Sequence, residues 1–272
     1  MPGHSAEIFS VYPDLSCKKD TFRIHPFFKG AGIHEEILCA GNDKVFDFLE
    51  GVLEEVIELF PNEYIHIGGD EAPKKSWKEC TLCQQRIRDE GLKDEEELQS
   101  WFIRRIESYL NGKGRNLIGW VEILEGGLAP NASVMFWKGS VDPIVKAAEK
   151  GHHIVMSPTS HLYFDYAYDT VSANASGRFI PTRKVYAYNP IPEDLDSVYR
   201  DNILGLQANF WSHIDRTVPG MNRQIFPRLL AMSEVAWTND KGRDWKEFTG
   251  RLKHHLEILE IKGIDYYREN YD

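Results

Sequence analysis

Tyr64-Ile65-His66-Ile67-Gly68-Gly69-Asp70-Glu71 is the stretch on which the fold turns. A short strand is expected over 64–68. Because side chains alternate along a strand, Ile65 and Ile67 can pack against helices while His66, Gly68 and Asp70 face the other way. Asp70 and Glu71 then emerge at the strand's C-terminal end. Two adjacent carboxyls resist ionising together, which favours one acid beside one carboxylate near neutral pH. The Gly68-Gly69 pair lets a ligand approach the backbone closely. Taken alone, Gly-Gly-Asp-Glu reads more simply as a turn with a solvated glutamate.

Outward from this stretch, helices and strands alternate, as in an α/β protein with parallel strands. Asn42 caps an expected helix whose apolar positions are Val45, Phe48, Leu49, Val52, Leu53, Val56 and Ile57, ending near Phe60-Pro61. A helix is expected at 84–89 and a longer one at 95–110, with Leu98, Trp101, Phe102, Ile106 and Tyr109 as its buried stripe. Further strands are expected at 116–120, 133–137, 153–157 and 203–211, and helices at 143–150, 222–236 and 245–261. This makes five strands, where a complete (β/α)₈ barrel, about 250 residues long, has eight. The expected fold class is therefore α/β, a (β/α)₈ TIM barrel with three of its strands missing, in one domain over 1–272. The segment 161–195, rich in Tyr, Asn and Pro, is expected to be a long loop of the kind that carries binding residues.

Trp120, Trp137 and Trp211 change the reading of the carboxyl pair. Each stands at or just past the end of an expected strand, on the rim that carries Asp70 and Glu71. Aromatic faces there suit the apolar C–H faces of a pyranose, whereas core tryptophans should sit within an element. Three such residues beside an acid pair point to a carbohydrate site.

Charge narrows the partners. With 272 residues, a net charge of -10 and basic residues scattered among acidic ones, the chain has no concentrated basic face for nucleic acid or a membrane surface. No apolar run has the roughly 18–20 residues needed to span a bilayer, and no export signal is readable at the N-terminus. Cys17 and Cys39 bracket a loop that a disulfide would restrain, which would indicate an oxidising compartment. Cys80-x-x-Cys83 has no second ligand pair at zinc-finger spacing, so a disulfide or plain thiols are expected there. His152, His153 and His161 lack a carboxylate at ligand spacing and read as solvated or strand-end histidines. Asn131-Ala132-Ser133 and Asn174-Ala175-Ser176 fit the glycosylation pattern, which often arises by chance.

Met1-Pro2-Gly3-His4-Ser5, Ala40-Gly41-Asn42, His66 to Glu71, Gly119-Trp120-Val121-Glu122, Tyr163-Phe164-Asp165 and Ala231 to Trp237 resemble family 20 glycoside hydrolases, the β-N-acetylhexosaminidases. His-x-Gly-Gly-Asp-Glu is the most specific of these motifs. In that family Met-Pro-Gly-His closes the third barrel strand, so the resemblance implies that the chain starts inside a motif, a TIM barrel truncated to about its last five βα units with strands one to three missing. It implies a retaining mechanism in which the substrate's own acetamido group is the nucleophile. Glu71 would be the general acid, Asp70 would hold the acetamido N–H and stabilise the oxazolinium charge, and Tyr163 would bind the acetamido oxygen. Asp165 would bind sugar hydroxyls, Trp120, Trp137 and Trp211 would wall the sugar, and His4 would neighbour the acid. No metal or cofactor is implied. The implied partner is a glycan ending in N-acetylhexosamine, and the implied location is outside the cytoplasm.

Two departures from the family pattern stand out. His213 occupies a position where many members have a hydroxyl-binding Glu, and an Arg the family carries on its first strand lies in none of this sequence. An open five-strand sheet would also present an edge for self-association. Two other readings compete. A non-catalytic sugar-binding remnant would keep the tryptophans without needing both acids. A metal-dependent hydrolase using His66, Asp70 and Glu71 is disfavoured because alternation should turn Glu71 away from the other two.

Overall fold

The structure, a computed structural model, describes residues 1–20, 32–170, 178–211 and 217–271. It forms two compact units, Met1–Met135 and Phe136–Asp272. His213 and the Asn174 triplet lie outside the described residues. Five parallel strands follow one another in chain order, and no described helix is long and apolar enough to cross a membrane.

In the first unit, α1 (Asp43–Leu59) starts at Asn42, whose side chain accepts from the Lys44 N–H and satisfies a backbone donor at the helix start. Its buried face is Val45, Phe46, Leu49 and Leu53, so of the expected stripe Phe48, Val56 and Ile57 are only half-buried and Val52 is exposed. Phe46 takes the core position because it meets Phe102 at 4.9 Å and the edge of Trp101 at 5.5 Å. β1 (Tyr64–His66) is shorter than expected because Gly68 and Gly69 turn into the left-handed region at φ +79° and +97°. Next come α2 (Lys75–Glu79), which the sequence reading lacks, α3 (Thr81–Asp89) and α4 (Glu95–Gly112).

Asp94 caps α4 by accepting from the Glu96 and Glu97 N–H groups, with three glutamates in the first turn complementing the helix dipole. Leu98, Phe102, Ile103, Ile106 and Leu110 are buried, while Trp101 and Tyr109 flank that stripe. β2 (Asn116–Trp120) pairs with β1 through Ile65↔Leu117 and with β3 (Ser133–Phe136) through Gly119↔Val134.

The expected Cys17–Cys39 disulfide is absent. All four cysteines are free thiols, and their sulfurs converge instead of forming two separate pairs. The support that this pair gave to an oxidising compartment is therefore removed.

In the second unit the Phe136 carbonyl accepts from the Ser157 N–H, and α5 (Asp142–Glu149) leads to β4 (Ile154–Met156). β4 pairs with β5 (Ile203–Leu206), with a register shift between Ile154 and Val155. β5 stops five residues short of the expected end, and the chain continues to a single bridge, Tyr163↔Asn209. The helix expected over 222–236 is two helices, α7 (Val218–Ile225) and α8 (Arg228–Trp237), because Pro227 cannot donate within a continuous helix. α6 (Thr182–Tyr186) precedes them and α9 (Trp245–Ile261) follows.

Of the segment 161–195, the described residues 161–170 and 178–195 are packed, with Leu162, Phe164, Tyr168, Ile180 and Val185 buried. At its centre is Arg228, fully buried, which donates to the carbonyls of Phe164 (2.6 Å), Tyr166 (2.8 Å) and Ile180 (3.2 Å). Its guanidinium lies 3.9 Å from the Tyr168 ring centre. Burial lowers the Arg228 pKa, opposed by Tyr168, Glu269 and Asp165.

Candidate active site

β1 delivers the acid pair, and the turn after it sets its geometry. Gly69 has φ +97°, and a Cβ there would stand 2.4 Å from Ile123 Cγ2, so both conformation and packing demand glycine. Glu71 itself adopts φ +46°. This left-handed residue defeats the strand alternation that would have turned Glu71 away. As a result, both carboxylates reach one imidazole: His4 Nε2 lies 3.3 Å from Asp70 Oδ2 and 3.3 Å from Glu71 Oε2.

The electrostatics of this group have a clear sign. The hydrogen bond with Asp70 holds the His4 imidazole above its ordinary pKa; the charges of Asp70 and Glu71 add to this, and burial works against it. Burial of Asp70 acts to raise its pKa, but the His4 hydrogen bond, the His4 charge and a backbone hydrogen bond outweigh it and leave Asp70 below the usual carboxylate range. Asp70 is therefore held as a carboxylate.

His66, the other candidate histidine of this stretch, lies apart from that pair of contacts. Its Nδ1 accepts from the Gly68 N–H at 3.1 Å, which requires that nitrogen to be unprotonated. Its ring meets Trp120 edge-on at 4.9 Å. The surrounding protein lowers its pKa to about 4 although part of the residue opens to solvent. Trp120, the last residue of β2, is buried.

Two residues that the sequence reading passed over hold the turn from behind. Gln99 on α4 donates to the Gly69 carbonyl at 3.0 Å and accepts from Lys74 Nζ. Lys74 also donates to the Ala72 carbonyl at 3.0 Å. The available signal was a glutamine inside an apolar stripe, because an amide is buried only with partners to satisfy it.

The second unit carries the remaining aromatic candidates. Trp137, just past β3, stacks on Tyr163 with ring centres 6.1 Å apart and an interplanar angle of 17°. Tyr163 also meets Trp211 at 6.5 Å. Tyr163 and Asp165 are buried, while Trp211 is 45% exposed. A cavity of about 370 Å³ opens beside Trp137 and is also lined by Thr159, His161 and Tyr188.

A carboxyl pair at the C-terminal end of a parallel strand, backed by helices, is the arrangement of a β/α-type hydrolase site. The profile of the glycosyl hydrolase family 20 catalytic domain matches residues 1–240, and the chain belongs to this family. Its fold is accordingly part of a (β/α)₈ barrel.

The chain is 45% identical over 270 residues to a β-hexosaminidase of Porphyromonas gingivalis, covering 98% of this chain and 34% of the relative. Among solved structures it is similar to a β-N-acetylhexosaminidase of Bacteroides fragilis, with 29% identity and a TM-score of 0.83, covering all of this chain and 55% of that one. It is likewise similar to an exo-β-N-acetylglucosaminidase of Vibrio harveyi in complex with N-acetylglucosamine, with 29% identity and a TM-score of 0.83, covering 98% and 42%. The chain thus spans a third to about half the length of these relatives.

Proposed function

We propose that the chain carries the acid-bearing part of a retaining exo-β-N-acetylhexosaminidase that removes terminal β-linked N-acetylglucosamine or N-acetylgalactosamine from glycans. The observation that carries this reading is the Asp70-Glu71 pair gathered on His4 at the end of β1. Glu71 delivers a proton to the glycosidic oxygen as the acetamido oxygen attacks the anomeric carbon from the opposite face. The leaving group departs and an oxazolinium forms. Asp70, held as a carboxylate, accepts the acetamido N–H and balances the positive charge. Glu71, now a carboxylate, takes a proton from the water that opens the oxazolinium. Two inversions leave the anomeric configuration unchanged.

At His213 the chain departs from the family's hydroxyl-binding Glu, so recognition of the outer sugar hydroxyls differs there. Tyr163 takes the acetamido oxygen, Asp165 takes sugar hydroxyls, and Trp120, Trp137 and Trp211 offer apolar faces to the ring. These roles rest on the family resemblance. A non-catalytic sugar binder would have no use for both acids on one histidine. We infer a working location outside the cytoplasm, a reading whose support is the family resemblance alone.

The test is hydrolysis of a chromogenic β-N-acetylglucosaminide by this chain and by a form extended at its N-terminus to the length of its relatives. Product of retained configuration, with kcat lowered by a factor on the order of 10²–10⁴ in Glu71→Gln, is expected. Undiminished kcat in Glu71→Gln would remove Glu71 from the role of acid.

A further inference from the structure

The hydrolysis proposed above makes no use of the four cysteines of the first unit. Three independent stretches bring them together. Cys17 and Cys39 flank the antiparallel bridge Ser16↔Leu38, where the Cys39 N–H also donates to the Leu15 carbonyl at 2.9 Å. Cys80 caps α3 and Cys83 lies in its first turn. The stretches meet backbone to backbone: a Cβ on Gly41 would stand 2.3 Å from the Leu82 carbonyl oxygen, so only glycine permits the approach. Trp77, fully buried, closes over this region and donates its indole N–H to the Leu38 carbonyl at 2.9 Å.

The sulfur geometry decides among the uses of four thiols. Cys17–Cys83, Cys39–Cys80 and Cys39–Cys83 are each separated by 3.7 Å, and all four sulfurs lie within 4.8 Å of one another. A disulfide requires about 2.05 Å, so no pair is bonded. A tetrahedron of sulfurs about 2.3 Å from a central zinc has edges of about 3.8 Å, close to the 3.7 Å of those three sulfur pairs. A multi-iron cluster would need room for several iron and sulfide atoms, and these edges leave space for a single ion. Cys39, Cys80 and Cys83 are buried. The donor set is four soft sulfurs with no position open to water, the pattern of a structural site and not a catalytic one.

We propose that Cys17, Cys39, Cys80 and Cys83 bind one zinc ion as a closed tetrathiolate. Binding converts four thiols and Zn²⁺ into a dianionic Zn(S-Cys)₄ centre and releases four protons, with no change of oxidation state. The ion ties both ends of the 17–39 segment to the start of α3, nine residues beyond Glu71. It is a structural clasp outside the reaction itself. Sequence spacing concealed it because one ligand pair is a C-x-x-C and the other is split by a loop.

The experiment is metal analysis of the chain purified without chelator or oxidant, followed by X-ray absorption at the zinc edge. One zinc per chain with a sulfur-only shell of four atoms at about 2.3 Å is expected, with release of the ion when a mercurial titrates the thiols. Replacing the metal with cobalt(II) should give the intense visible bands of a tetrahedral tetrathiolate, and Cys83→Ser should lose the ion. Two disulfides by intact mass, substoichiometric zinc with four free thiols, nitrogen or oxygen in the shell, or iron in place of zinc would each overturn the assignment. The absorption measurement needs no variant, so misfolding of Cys83→Ser leaves the test intact.

Discussion

The two units secure irregular backbone by opposite means. In the first, four sulfurs from three stretches converge on one point. In the second, the buried Arg228 gathers the carbonyls of Phe164, Tyr166 and Ile180 from a segment with little regular structure. The sulfur cluster needs an ion from outside and gives it up to a competitor. The guanidinium is always charged, brings a fixed fork of donors and can be removed only by mutation. The first clasp therefore responds to its surroundings and the second does not.

Arg228→Met is the largest expected blow, about 3–5 kcal/mol, because it leaves several buried carbonyls unpaired. Chemical denaturation measures it, and zinc content should stay unchanged if the two clasps are independent. Stripping zinc should come next: with free zinc about a hundredfold above its Kd, the ion adds roughly 2.7 kcal/mol that mercurial and chelator together should abolish. Arg228→Met in turn should not alter the thermal shift produced by chelation. A chelation shift that is enlarged or abolished in Arg228→Met would break the contrast. Gln99→Leu should cost about 1–3 kcal/mol by leaving the Gly69 carbonyl without its donor. It should also lower kcat more than it raises KM, since the turn carrying Glu71 loses its backing.

The smallest effect is that of pH on the His4-Asp70 pair. His4 is raised on folding, so its contribution is complete below the unfolded value near pH 6.5 and fades as pH rises through the folded value. Asp70 is lowered, so its contribution is complete above about pH 3.9 and fades as pH falls through the folded value. Both are fully present between about pH 4 and 6.5. Since the His4 side chain is 44% exposed, solvent screening reduces the effect to a few tenths of a kcal/mol. Denaturation midpoints across this range, compared with His4→Gln, would detect it.

Much of the strand-and-helix frame is legible in the sequence because it rests on local periodicity. The α1 cap at Asn42, the strand before Gly68 and the tryptophans at strand ends each follow from neighbouring residues. What escaped depends on distant partners. Arg228 reads as an ordinary charged position on a helix until the carbonyls around it are known. Cys17 and Cys83 are separated by 66 residues, and only folding makes them neighbours. Glu71 was legible as a candidate acid, but its direction was not: alternation is a rule for strands, and the strand had already ended at His66.

The backbone of Glu71 bears on how this site persists through mutation. At φ +46°, a residue with a Cβ carries strain of order 1 kcal/mol or more that glycine would not. Glu71→Gly would relieve that strain, and the relief would offset the extra freedom glycine gains in the unfolded chain. Folding stability therefore gives no protection to the glutamate. A lineage with no use for a proton donor here could drift to glycine at almost no cost in stability, so the side chain at this position reports selection on chemistry and not on structure.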